Sequence, residues 1–133
     1  MAQIKTIHIV DDDEIYSFTI ERVLARAQIA ENVVFFPDGK LAFDFLNENI
    51  SNPEVLPDMI LLDINMPVMN GWGFLDAYAT ISPRIKKKIV IYMVSSSIAE
   101  ADLALAKKNK AVTDYLVKPL TINNLIEIAG RLK

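Results

Sequence analysis

Met59-Ile60-Leu61-Leu62-Asp63-Ile64-Asn65-Met66-Pro67-Val68-Met69-Asn70-Gly71-Trp72 is the stretch on which the reading of this chain turns. Four apolar residues run without a polar break and end on a carboxylate. Such a run suits a strand covered on both faces, as in the centre of a parallel sheet. Asn70-Gly71-Trp72-Gly73 then reads as a turn, and Phe74 to Ile81 as a helix. The unit is a buried strand, an aspartate at its carboxyl end, a loop and a helix.

The same unit recurs outward in both directions. Residues 4–10 read as a strand, and residues 14–28 place Ile15, Phe18, Ile20, Val23, Leu24 and Ala27 at near-helical spacing. Asn32 to Phe36 forms a second strand, stopped by Pro37-Asp38-Gly39, and Leu41, Ala42, Phe45 and Leu46 form a helical stripe. Downstream, Ile89 to Val94 is a strand and Ile98 to Lys108 a helix. Asp114 to Val117 is a fifth strand, cut by Pro119, and Thr121 caps a last helix through Arg131. Five strands alternating with five helices predict one α/β layer sandwich with a parallel sheet and right-handed crossovers. No repeat or linker interrupts the pattern, so a single domain over residues 1–133 with no output domain is expected.

Composition narrows the function. The 133 residues are 52% hydrophobic and 23% charged, with a formal net charge of -3. That balance supports a real core and gives no electrostatic footprint for nucleic acid. Lys86-Lys87-Lys88, the one basic cluster, reads as solvating the start of a strand. The absence of cysteine excludes disulfides, thiolate catalysis and Cys-based zinc sites. No apolar run approaches a membrane span and the N-terminus lacks a secretory pattern, so no membrane insertion and a cytoplasmic location are expected.

Chemistry collects where polar residues end the strands. The first ends in Asp11-Asp12-Asp13, the third in Asp63, the fourth in Ser95-Ser96-Ser97 and the fifth in Lys118. In an open parallel sheet, ligands bind outside the carboxyl ends of the strands. Crowded carboxylates repel one another, and a hard divalent cation relieves the repulsion. Magnesium (Mg2+) prefers oxygen ligands and needs only one or two carboxylates, a role that suits Asp12 and Asp63 with Asp11 assisting. An aspartate beside such an ion and a lysine is a plausible nucleophile for phosphoryl transfer, and a strand-end hydroxyl can bond a phosphoryl oxygen. Taken singly, each residue has a plainer role. Asp13 and Glu14 suit the positive N-terminus of the first helix, Ser95 to Ser97 an N-cap cluster, and Lys118 a surface lysine. The convergence of four strand ends is what favours a site.

The chain resembles the response-regulator receiver family of two-component signal transduction over essentially its whole length. The resemblance rests on residues 7–14, 59–72, 91–97 and 114–120, the second of these being the most specific. It implies a flavodoxin-like, doubly wound (βα)5 fold with strand order 2-1-3-4-5. It implies Asp63 as the phospho-acceptor, forming an aspartyl phosphate, and a metal site of Asp11, Asp12, Asp63 and Asn65, with Asn65 supplying a backbone carbonyl. The ion implied is Mg2+, with Mn2+ able to substitute. Lys118 is the motif lysine, Pro119 follows it through an expected cis bond, and Tyr115 is the aromatic that changes rotamer on activation. The switch hydroxyl has two candidates. Ser95 directly follows the strand, whereas counting back from Lys118 without a gap gives Ser96. Residues 107–112 lack the usual Gly-Ala, and a one-residue insertion there favours Ser95.

The function implied is a single-domain response regulator, a phosphoprotein rather than an enzyme, that promotes only its own phosphorylation and dephosphorylation. Its expected partners are a sensor histidine kinase or histidine phosphotransfer protein, and a downstream protein on the surface of the fourth helix, fifth strand and fifth helix. A monomer or a phosphorylation-dependent dimer is expected. Three rivals stand beside it. One is a phosphorelay intermediate that passes the group to a histidine. Another is a non-phosphorylated pseudo-receiver, which the intact acidic cluster weighs against. The third is a Mg2+-dependent aspartyl-phosphate hydrolase, which usually carries a general acid two residues after its nucleophile, where this chain has Asn65. His8, the only histidine, lies in a strand between Ile7 and Ile9 and reads as a sheet residue with a local hydrogen bond rather than a phospho-donor. Trp72 reads as a half-buried loop anchor.

Overall fold

In a computed structural model, which describes residues 4–132, the alternation becomes five parallel strands in one sheet. Residues 1–3 and 133, the ends of the expected 1–133 domain, lie outside the described residues. The strands are β1 (Ile4–Val10), β2 (Ala30–Phe36), β3 (Met59–Leu62), β4 (Val90–Ser95) and β5 (Val112–Val117). The helices are α1 (Glu14–Arg26), α2 (Gly39–Glu48), α3 (Gly71–Ile81), α4 (Glu100–Lys108) and α5 (Ile122–Arg131). The sheet order is β2-β1-β3-β4-β5, the flavodoxin-like order expected from the resemblance.

The three inner strands β1, β3 and β4 alternate their side chains between two covered faces, so the core divides in two. On one face, Ile7, Ile9, Leu61 and Tyr92 pack with Ile20 and Leu24 of α1 and Leu125 and Ile128 of α5. On the other, Val10, Ile60, Leu62, Ile91 and Met93 pack with Leu46 of α2, Phe74 and Tyr78 of α3 and Ala106 of α4. All four residues of β3 are buried, which is why that strand shows no alternation in the sequence. Burying one such Ile or Leu is worth about 1.5–3 kcal/mol, so the central strands anchor their carboxyl ends firmly.

Helix starts follow local capping. Asp13 caps α1 by accepting the Tyr16 N–H at 3.0 Å, the role read from the sequence. Asn70 caps α3 by accepting the Gly73 N–H at 2.8 Å. Its capping starts α3 at Gly71, so Trp72 sits half-buried in the first helical turn rather than in a loop. Thr121 and Asn124 form a reciprocal capping box on α5. The fourth helix begins at Glu100, two residues later than its apolar pattern suggests, because Ile98 is 72% exposed and Ala99 is extended. Lys87, in the basic cluster, bridges to Asp58 at 3.1 Å, near the start of β3.

The β4–β5 pair carries an irregularity. Ile91 pairs with Val112 but Tyr92 pairs with Asp114, so Thr113 has no partner across the ladder. This is a bulge, one extra residue on β5. Beyond it the register runs evenly to Ser95 opposite Val117, and the Lys118 N–H donates to the Ser95 carbonyl at 3.0 Å.

Gly71 is required by a close approach. A Cβ there would lie 2.4 Å from the carbonyl oxygen of Asp63, a backbone atom that cannot swing aside. Gly130, exposed on α5, has nothing within 4 Å of such a Cβ. Gly71→Ala is therefore expected to cost at least about 2 kcal/mol in urea unfolding, while Gly130→Ala gains up to about 1 kcal/mol. Equal effects from the two substitutions would contradict this packing.

Candidate functional site

The carboxyl ends of β1, β3, β4 and β5 meet at one edge. Asp11 directly follows β1, where its N–H donates to the Phe36 carbonyl at 3.0 Å. Asp63 directly follows β3, its N–H bonded to the Val10 carbonyl at 2.9 Å. Backbone pairing thus continues one residue past each strand and aims both side chains off the same edge. Asp11, Asp12 and Asp63 each offer a carboxylate oxygen, all within 4.8 Å of one another. Asp11 and Asp63 are buried and Asp12 is exposed.

Lys118 answers this charge from the end of β5. Its Nζ lies 2.7 Å from Asp11 Oδ2 and 3.7 Å from Asp63 Oδ1. The ammonium also sits 4.1 Å from the centroid of the Tyr16 ring, a cation–π contact that closes one side of its position. Tyr16 was not singled out in the sequence. Its only signal is a place in the first turn of α1 beside the aspartates, and contact with Lys118 is a property of the tertiary fold. Burial, then the charges of Asp11, Asp63 and Asp13, push the Tyr16 phenol above its usual range. The Lys118–Pro119 peptide bond is cis, as expected.

Asp63 has a carboxyl pKa well above its ordinary value. Burial and then the Asp11 charge push its carboxyl up to about 6, with a smaller push from Asp12. Lys118 and the Ile64 backbone N–H act the other way. At neutral pH the group is still mostly ionised, but at a free-energy cost.

Ser95, the last residue of β4, is buried, and its Oγ accepts the Ser97 N–H at 3.2 Å. Ser96 is exposed. Tyr115 is half-buried and its hydroxyl donates to the Ser97 carbonyl at 2.8 Å. Asn65 is exposed in the loop two residues beyond Asp63, and Pro119 is exposed beside Lys118. The structure therefore brings Asp11, Asp12, Asp63 and Lys118 into one cluster. Among the described residues, no side-chain hydrogen bond or ion pair joins Asn65 or Pro119 to that cluster.

The donor set tests whether a metal fits. Three carboxylates offer hard oxygen ligands, with no imidazole or thiolate among them, as suits Mg2+ rather than zinc. His8 lies outside the site. Its ring is buried between Phe36 and Phe45, at centroid distances of 5.0 and 5.2 Å. Neither ring nitrogen has a hydrogen-bond partner among the described residues, which corrects the expected local bond. Burial, aided by the charge of Lys87, lowers its pKa to about 4, so the ring is held neutral in an apolar setting.

A five-stranded flavodoxin-like sheet with an acidic cluster and a lysine at its carboxyl edge defines a class of α/β signalling domain. Residues 7–129 match the sequence profile described as the response regulator receiver domain, and the chain belongs to that family. It resembles the crystal structure of a two-component response regulator from Cytophaga hutchinsonii, with 30% identity, a TM-score of 0.87 and coverage of 97% of this chain and 96% of that one. A response regulator receiver protein from Dyadobacter fermentans is similar at 31% identity and a TM-score of 0.82, covering 96% and 97%. Among curated proteins, the "Probable methanogenesis regulatory protein FilR2" of Methanothrix harundinacea is 29% identical over 94% of this chain and 79% of its own length. The match to a protein-glutamate methylesterase/protein-glutamine glutaminase of Paramagnetospirillum magneticum, 29% identical, spans only 28% of that protein. The chain is thus a receiver domain of two-component signalling with an acidic cluster suited to a divalent metal. Receiver domains of this kind are phospho-acceptor modules whose partners are histidine kinases. No helix among the described residues is long and apolar enough to cross a membrane.

The Asp63 environment gives a signed prediction. Folding raises the pKa of its carboxyl from 3.8 to about 6, so ionisation opposes folding. The cost is absent below about pH 3.8 and complete above about pH 6. In metal-free protein, Asp63→Asn should raise stability at pH 8 by on the order of 1 kcal/mol, the full linkage value being reduced by solvent screening. The gain should vanish near pH 3.5. Urea unfolding of both proteins at the two pH values measures it, and a difference independent of pH contradicts the account.

Proposed function

We propose that this protein is a response regulator that accepts a phosphoryl group on Asp63 from a histidine kinase or phosphotransfer protein and signals through a change of surface. The observation that carries the proposal is the convergence of Asp11, Asp12, Asp63 and Lys118 at the carboxyl edge of the sheet. Asp11, Asp12 and Asp63 would hold Mg2+, with the Asn65 carbonyl completing the set. The ion would supply charge neutralisation for a phosphoryl group. A carboxylate oxygen of Asp63 forms a bond to phosphorus while the donor's bond to phosphorus breaks, the leaving group taking the electron pair. Lys118 lies 3.7 Å from Asp63 and offsets charge on the transferred group.

Ser95 is the switch hydroxyl in this reading. It is buried at the end of β4, while Ser96 is exposed, and the bulge at Thr113, just past the 107–112 stretch where an insertion is expected, adds one residue to β5 before Lys118 and supports this choice. Tyr115 follows the movement of Ser95. The downstream partner docks on α4, β5 and α5, where exposed apolar side chains include Leu105 (49%), Val117 (46%), Ile122 (44%) and Ile126 (46%). Exposed apolar side chains on these three elements suit an interaction surface.

Incubation with Mg2+ and acetyl phosphate should add one phosphoryl group to the intact mass of the wild type and none to Asp63→Asn. Lys118→Ala should slow the reaction by at least about tenfold. Beryllofluoride should shift the amide resonances of Leu105 and Val117 in the wild type and in Ser96→Ala, but much less in Ser95→Ala. No adduct on the wild type, or an equal adduct on Asp63→Asn, sinks the phospho-acceptor reading. Reversed behaviour of the two serine variants moves the switch to Ser96.

A further inference from the structure

Ser97, two residues past the proposed switch hydroxyl, is where three parts of the molecule are tied together. Its backbone N–H donates to Ser95 Oγ at 3.2 Å. Its carbonyl accepts the Tyr115 hydroxyl at 2.8 Å. Its own hydroxyl donates to Asp102 Oδ2 at 2.9 Å and accepts the Ala99 N–H at 3.2 Å. Asp102 lies in the first turn of α4.

This arrangement repairs a defect in α4. Ala99 occupies the N-cap position, and its side chain has no oxygen to accept a first-turn N–H, so the helix start has no side-chain cap of the usual kind. The neighbouring helices α1, α2, α3 and α5 each have one. What anchors the start of α4 is instead the Ser97 hydroxyl, bridging the Ala99 N–H and the Asp102 carboxylate. A hydrogen bond to an ionised carboxylate is among the stronger neutral-donor bonds. The same residue bonds both hydroxyls of the proposed switch, Ser95 through its N–H and Tyr115 through its carbonyl.

We propose that Ser97 is the positioning residue that couples the state of Ser95 to the placement of α4. The inference rests on the reading of Ser95 as the switch hydroxyl and adds the route by which its movement leaves the site. The contact from Ser97 N–H to Ser95 Oγ is at the long end for a hydrogen bond, so a rotation of Ser95 towards a phosphoryl oxygen strains or breaks it. The peptide that carries this N–H is joined through Ser97 to the Tyr115 hydroxyl and to Asp102. A displacement of the Ser97 backbone therefore moves the α4 anchor and the Tyr115 partner together. Among the described residues the Ser97 hydroxyl bonds Asp102 and the Ala99 N–H, neither of which belongs to the carboxylate cluster, so it can be changed while Asp63 chemistry is read separately.

The test uses the full chain as wild type, Ser97→Ala and Ser97→Thr, each with Mg2+ and beryllofluoride. Adduct formation at Asp63 is followed by intact mass after acetyl phosphate, and α4 and β5 by the amide resonances of Leu103, Leu105 and Val117. Ser97→Ala should form the adduct within about threefold of the wild-type rate, yet lose more than half of the beryllofluoride-induced shifts in α4. Ser97→Thr, which keeps the hydroxyl, should restore them. A merely structural role would not produce loss with the alanine and rescue with the threonine at an unchanged adduct. A full α4 response in Ser97→Ala overturns the coupling alone, as does failure of Ser97→Thr to rescue. Absence of any adduct or shift in the wild type overturns the phospho-acceptor reading and the coupling with it.

Discussion

Repulsion among Asp11, Asp12 and Asp63, held within 4.8 Å of one another with Lys118 as their cation, is the constraint to which the rest of the site answers. With all three ionised, one ammonium leaves two negative charges unmatched, the deficit a divalent cation meets. The fold can sustain this arrangement because its cost is confined to strand ends. β1 and β3 are buried along their shared length, and their pairing extends to Asp11 and Asp63 through backbone bonds to Phe36 and Val10. Hydrophobic burial on both faces of the sheet holds the carboxylates where electrostatics alone would drive them apart.

Ionised Asp63 is held at a free-energy cost, and this suits the proposed phospho-acceptor role. A carboxyl raised to about 6 by burial and Asp11 is ionised at neutral pH but poorly satisfied. Lys118 cannot satisfy it fully, because its closest bond is to Asp11 at 2.7 Å, a full ångström nearer than Asp63. The site therefore gains from any cation that binds, and in the proposed reading from a phosphoryl group held by Asp63 as a mixed anhydride, which draws in Ser95. In that reading, the bonds that radiate from Ser97 link Ser95 to Asp102 of α4 and to Tyr115 of β5.

Much of this was legible in the sequence, for physical reasons that differ by residue. Asp63 stands out because it ends an uninterrupted apolar run, and burial of both faces of β3 leaves that mark. Asp11 and Lys118 stand out in the same way at the ends of other strands. The five-fold alternation was enough to predict the sheet. What stayed hidden depends on contacts between distant segments. The cation–π contact of Tyr16 with Lys118 joins α1 to the end of β5, and no periodicity records it. The bulge at Thr113 is a matter of register between β4 and β5, visible in sequence only as an odd spacing between Ser95 and Lys118. The apolar pattern starting at Ile98 predicts α4 two residues early, whereas the chain leaves Ile98 exposed and starts the helix at Glu100, beside the Ser97 bonds. Val68, at a φ of 66° in the β3–α3 loop, adopts a backbone state that a β-branched residue rarely takes, so composition gives no hint of it.

The most direct measurement of the central claim is a carbon-13 NMR titration of the Asp63 carboxyl, with and without saturating Mg2+. Without the ion, the resonance should titrate with a midpoint near 6, set by burial and by Asp11. With the ion present, the midpoint should fall below the ordinary aspartate value. A midpoint near 3.8 in the metal-free protein, unmoved by Mg2+, would contradict the account.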